Sequence, residues 1–180
     1  MRNETALPPR PVSEAVADWL QRKHIRHVFG IVGGGNVTLW NEVSKVAEIV
    51  CCHHEQAAAQ AAIYYYRTSK RLPLCLVTTG AGSANAITGV INAWMDSVPL
   101  LVISGNEPRR LWKDSDVRVL GTQGYRSADL VSPVCKFAVS VMSHNVLQYL
   151  EDAHRCCLSE RQGPAWVDIP KDVQGEPCAG

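Results

Sequence analysis

Glu55 is the one acid in CCHHEQAAAQAAIYYY, residues 51–66, a stretch with no lysine or arginine to pair with it. Ala57, Ala58, Ala59, Ala61 and Ala62 follow, a composition that reads as a helix packed closely on two or three sides. An acid in a first helical turn is favoured by the helix dipole by about 0.3–1 kcal/mol, which accounts for an arbitrary glutamate in such a place. Packed alanines add something. They are expected to desolvate the carboxylate in part, and desolvation raises a carboxyl pKa towards values suited to proton transfer. His54 stands immediately before it, as a candidate site residue or equally as a surface histidine.

Two glycine-bearing turns offer further chemistry. GIVGGGN follows an apolar run, and Gly33, Gly34 and Gly35 permit close backbone approach at the start of a helix with free amides. A dinucleotide site is the obvious reading, with Glu55 about 20 residues on as the ribose-binding acid. The fingerprint fails in detail, because Asn36, Val37 and Thr38 follow and its third glycine is missing. The second turn is TTGAGSAN, residues 78–85. A tight strand-to-helix turn with Ser83 as N-cap explains Gly80 and Ser83, but leaves Thr79 and Asn85 without a task.

The elements that must position these residues alternate. HVFGIV (27–32), EIVCC (48–52), LCLVTT (74–79), PLLVISG (99–105), KFAVSV (136–141) and AWVDIP (165–170) are nearly continuous apolar runs, expected of strands covered on both faces. Helical patterns lie between them. SEAVADWLQRK puts Val16, Trp19 and Leu20 on one stripe, and NVLQYLEDAHRCCLSE opens on the candidate N-cap Asn145. The alternation predicts an α/β fold: a doubly wound, mostly parallel six-stranded sheet with helices on both faces. In such sheets ligands sit beyond the carboxyl ends of the strands, where both glycine turns and Glu55 fall. Residues 106–135 break the rhythm and are expected to run as a long excursion over one edge.

Composition bounds the rest. The chain has 180 residues, 46% hydrophobic and 19% charged, with a formal net charge of +1. That is one domain of ordinary size, with residues 1–11 as a lead-in, 12–174 as the folded unit and 175–180 as a tail. Balanced charge argues against nucleic acid and a membrane surface as partners. No apolar stretch reaches the roughly 18 residues of a membrane span. Seven cysteines, without CxxC or zinc-ligand spacing, read as buried thiols in a reducing cytoplasm, with no metal site expected.

Four segments together carry a resemblance: VFGIVGGGNVTLW, HHEQAAAQAA, LCLVTTGAGSANAITGVINAWMDSVPLLVISG and GPAWVDIPKDVQ. In order and spacing the chain resembles, over about residues 12–174, the N-terminal, pyrimidine-binding domain of thiamine diphosphate-dependent 2-oxo acid enzymes of the acetolactate synthase type. The resemblance implies the thiamine diphosphate-binding fold and a decarboxylase or carboligase activity. It implies that Glu55, the glutamate of the HEQ motif, bonds N1′ of the cofactor's aminopyrimidine and so helps to activate the thiazolium carbon. Gly33 and Gly34 match the family's glycine turn against the pyrimidine. Thr79, Gly80, Gly82 and Asn85 match the turn after the third strand. Gln123 matches the family's substrate-side glutamine when VSPVCK is aligned with the family's VKPITK, and His54 would face substrate.

The chain also departs from the family. Val32 and Ala81 replace prolines, Tyr64 takes a glycine position, and Gly124 stands where an acid is usual. Members of the family are much longer, and their last domain holds magnesium and the diphosphate through a GDG segment that is not found here. The resemblance therefore implies half an active site, in one subunit of a split enzyme or an excised domain. Its expected partner is a diphosphate-binding subunit carrying the magnesium, in a hetero-oligomer whose pairs dimerise, acting on a small 2-oxo acid. The surface around GVINAWMDSVPL, with Trp94 and Met95, is the expected pairing face, and core packing would explain those two residues equally well. A non-catalytic relative that regulates or scaffolds a partner is the alternative, and an unrelated nucleotide-binding α/β domain the third reading.

Overall fold

The computed structural model describes residues 10–112 and 118–178. Its elements follow the alternation in the sequence: α1 (Val12–Arg22), β1 (His27–Gly30), α2 (Val37–Val43), β2 (Glu48–Cys51), α3 (Glu55–Ser69), β3 (Leu74–Val77) and α4 (Ala81–Met95). The second half comprises β4 (Leu100–Asn106), α5 (Ser127–Val131), β5 (Phe137–Ser140), α6 (Val146–Leu158), β6 (Pro164–Pro170) and α7 (Lys171–Gly175). All six expected strands form, and they pair in the order β2-β1-β3-β4-β6-β5. Every pairing is parallel, so the expected mostly parallel sheet is wholly parallel.

Continuous apolar runs work here because each strand side meets a helix layer. In β3, Leu74 and Leu76 face one core with Trp19, Leu20, Leu101, Ile103 and Leu150, on the side of α1 and α6. Cys75 and Val77 face the other core, with Ala58, Ala59, Val90, Val102 and Trp166, on the side of α3 and α4. The Val16, Trp19 and Leu20 stripe of α1 is buried as expected, and Trp19 Nε1 donates to Glu151 Oε1 at 2.8 Å.

The small residues of α3 and α4 set how closely these helices cross. A Cβ on Gly89 would lie 2.4 Å from that of Ala59, so only glycine permits the approach. The first turns of both helices are thereby drawn together at the carboxyl edge of the sheet. That edge holds the switch in strand order, because the chain moves from β1 out to β2 and then crosses back to β3.

Strands end earlier than the apolar runs suggest. Ile31 and Val32 belong to the turn after β1, and Thr78 and Thr79 to the turn after β3. Part of the excursion 106–135 lies outside the described residues, at 113–117. The remainder folds back over the carboxyl edge: Asn106 Nδ2 donates to Tyr125 O at 2.8 Å, and Leu120 and Gly124 form an antiparallel bridge. At the far end of the chain, Pro11 bridges Pro177, Val12 N donates to Glu176 O and Cys178 N to Arg10 O.

Asn145 occupies the N-cap position of α6, but its side chain serves the preceding turn, accepting from Met142 N at 2.8 Å. Cys75 and Cys135 are buried free thiols whose desolvation pushes their pKa up to about 12. Among the described residues, no helix is long and apolar enough to cross a membrane.

Candidate active site

Glu55 is the first residue of α3, and it is 8% exposed. Its Oε2 accepts from Asn85 Nδ2, in the first turns of α4, at 3.0 Å. Its Oε1 lies beside Gly82, where an added Cβ would come within 3.1 Å of it and 2.6 Å of Thr78 Cγ2. No lysine or arginine forms an ion pair with it among the described residues. The structure thus brings together Glu55, Gly82 and Asn85, and gives Asn85 the task that a simple turn leaves open. One neutral amide and the start of a helix hold the carboxylate.

The turn after β1 is built around Asn36, which is fully buried. Asn36 Oδ1 accepts from Gly33 N at 2.7 Å, and its Nδ2 donates to Ile31 O at 3.1 Å. Thr78 Oγ1 accepts from Gly35 N at 3.0 Å, tying the first turn to the second. Gly33 and Gly35 are sterically necessary: Cβ atoms there would come within 2.6 Å of the Thr78 side chain and 2.2 Å of Thr79 Oγ1. Gly34 is different. It is exposed, and nothing in the chain lies within 4 Å of a Cβ placed on it.

In the second turn Gly80 takes φ 68° and ψ −129°, a conformation only glycine adopts readily. α4 begins at Ala81 with Gly80 at the cap position, so Ser83 is not the N-cap that its residue type suggests. Ser83 is buried inside the first turn, donating to Gly80 O at 2.9 Å and hydrogen-bonded to the Tyr125 hydroxyl at 2.9 Å. Burial raises the Tyr125 pKa above its ordinary value, while the bond with Ser83 lowers it. Thr79 is 3% exposed, and its hydroxyl has no hydrogen-bond partner among the described residues.

Gln123 is exposed and lies against the second turn: an added Cβ on Gly80 would be 2.7 Å from Gln123 O and 3.0 Å from its Cγ. His54 is also exposed and caps α3, with Nδ1 accepting from Gln56 N at 3.2 Å. The departures at Tyr64 and Gly124 have steric accounts. Tyr64 is 60% exposed and fills no interior space. At Gly124 a Cβ would meet Leu120 O and Glu107 Cγ at 2.6 Å, so no acid fits. Sequence reasoning missed Asn36, Thr78 and Tyr125, which position the site from beneath. The signal available for Asn36 was an asparagine directly after three glycines, where a side chain can bond its own turn.

Beside this edge, Asp168 at the end of β6 is 1% exposed. It accepts from Ser104 Oγ at 2.5 Å, Asn106 Nδ2 at 2.9 Å and Ser140 Oγ at 3.2 Å, joining the ends of β4, β5 and β6. Burial pushes its carboxyl above the ordinary range, against the pull of those hydrogen bonds.

The chain is 34% identical over 168 residues to the acetolactate synthase of Arthrospira platensis, covering 88% of this chain and 28% of that one. It is 30% identical over 172 residues to the acetolactate synthase isozyme 1 large subunit of Escherichia coli K12, with coverages of 90% and 28%. The chain thus spans little more than a quarter of the length of these relatives. In fold it superposes on a structure described as a candidate thiamin diphosphate-dependent enzyme from Mycobacterium smegmatis. That match has a TM-score of 0.86 and 20% identity, over 96% of this chain and 33% of that one. Residues 10–129 match the family described as "Thiamine pyrophosphate enzyme, N-terminal TPP binding domain". On that match and on these acetolactate synthase relatives, the chain belongs to the thiamine diphosphate enzymes, as their N-terminal, pyrimidine-binding domain.

Proposed function

We propose that the Glu55 edge forms the pyrimidine half of a thiamine diphosphate site in an enzyme that decarboxylates a small 2-oxo acid and protonates or carboligates the acyl carbanion. The carrying observation is a buried carboxylate without a cationic partner among the described residues, fixed by Asn85 and lodged against Gly82. The open face of Gly34 and the unpartnered Thr79 hydroxyl fit a group entering between the two glycine turns. Bound there, the cofactor supplies an electron sink for loss of carbon dioxide. The chain's own residues do less varied work. Glu55 would hold a proton-bearing hydrogen bond to a ring nitrogen of the bound pyrimidine, and Asn85 keeps Oε2 from swinging away. Gly34 would offer its open backbone to the pyrimidine. Gly33, Gly80 and Gly82 let Thr78, Gln123 and Glu55 pack closely around that opening, and Gln123 and His54 stand on the substrate side.

A second polypeptide or domain completes this site by holding the diphosphate with Mg²⁺, and pairs of such units dimerise. Exposed apolar residues on α4 support that reading: Trp94 is 40% exposed, Met95 68% and Ile91 39%. These exposures favour an interface over core packing for the GVINAWMDSVPL surface. The compartment we propose is the cytoplasm, in keeping with the free thiols of Cys51, Cys52 and Cys156.

The test is co-purification from the native source, followed by a decarboxylation assay with thiamine diphosphate and Mg²⁺ added. A co-purifying subunit, and activity lost in Glu55→Gln, support the proposal. Tight Mg²⁺-dependent binding of the cofactor by this chain alone would overturn the split site.

A further inference from the structure

At the opposite, amino end of the sheet, two adjoining clefts of about 480 and 650 Å³ share His24, Arg26 and Arg71. Lys23, Lys70 and His154 line the first together with Leu72 and Leu158, and His27 and Glu48 belong to the second. In a chain of net charge +1, this gathers much positive charge in one trough. Part of that charge answers the fold itself. Lys23 and Lys70 are the C-cap residues of α1 and α3, where cations complement the negative helix ends. Lys23 also pairs with Glu151 at 2.6 Å, Lys70 lies over the Tyr66 ring, and His27 is held between the Tyr65 hydroxyl and Glu48.

Arg26 and Arg71 answer nothing of that kind. Both are exposed, lie outside any helix, and have no carboxylate partner among the described residues. They precede β1 and β3, which are neighbours in the sheet with Val28 paired to Leu74. Arg26 stands two residues before Val28 and Arg71 three before Leu74, so the two guanidinium groups come from neighbouring chain segments, and both line the part of the trough that the clefts share. Two guanidinium forks so placed suit a ligand with two linked tetrahedral anions, each taken bidentately.

We infer that this trough binds a small soluble molecule carrying a di- or triphosphate group, at a site remote from the Glu55 edge. The test is a calorimetric titration of the whole chain with pyrophosphate at low ionic strength, in wild type, Arg26→Gln, Arg71→Gln and the double variant. Saturable one-to-one binding is expected, weakened by about tenfold in each single variant and abolished in the double. Glu55→Gln should leave that affinity unchanged. Equal affinity in the double variant would overturn the inference, as would a changed affinity in Glu55→Gln, which would place the anion at the other edge. Inorganic phosphate binding as tightly as pyrophosphate would overturn the two-anion geometry. Binding to vesicles of anionic phospholipid with none to pyrophosphate would make the trough a membrane contact and overturn the soluble-ligand assignment.

Discussion

Replacing Glu55 by glutamine keeps its shape and its contact with Gly82 but removes the ability to ionise. In the assembled enzyme, turnover is expected to fall by about 10²–10⁴, the usual range for a positioned acid or base. Folding should barely respond, because a first-turn charge contributes about 0.3–1 kcal/mol and neutralising a buried carboxylate relieves desolvation. Melting temperature and steady-state rate on one preparation separate this outcome from that of a helix-end charge, which would lose stability and keep its rate. At this scale much of the site was legible. A lone acid among alanines and two glycine turns at strand ends pointed to residues that the fold gathers at one edge of the sheet. What could not be read was support from across the chain. Thr78 Oγ1 accepts from Gly35 N, and Tyr125 meets Ser83, over separations of 43 and 42 residues that no local pattern encodes.

Among the elements, β4, β5 and β6 are joined at their carboxyl ends by Asp168 with Ser104, Asn106 and Ser140. Asp168→Asn puts an amide among three donors that need acceptors, and should cost about 1–3 kcal/mol in urea unfolding. The pH dependence has a definite sign. A carboxyl whose folded pKa is raised binds more protons in the native state than in the unfolded one. Its contribution to stability is therefore greatest below the ordinary aspartate pKa of about 3.9 and declines as pH rises through the higher folded value. The stability difference between wild type and Asp168→Asn should shrink over that interval, and a difference flat in pH would contradict the assignment. All six strands were legible because burial on both faces leaves runs such as LCLV and LLVI without polar interruption. Their ends were less so. Thr78 and Thr79 have the β-branched side chains of strand residues but sit in the turn, where contacts to glycine override propensity.

For the molecule as a whole, association should run through the outer face of α4. Trp94→Glu with Met95→Glu changes side chains that are 40% and 68% exposed, so the chain should keep its melting temperature while losing its partner in sedimentation experiments. A double variant that still assembles would move the interface elsewhere. Another feature of the whole concerns the pairing of Arg10, Pro11 and Val12 with Glu176, Pro177 and Cys178. Because residues 10–12 and 176–178 are stitched side by side, the folded unit between them is topologically close to a ring. A short glycine-serine bridge across that seam, with new ends opened at the exposed loop around Glu160, would permute residues 10–178 while leaving every strand neighbour in place. The architecture is thus specified by who lies beside whom, and the order of reading along the chain is free to rotate.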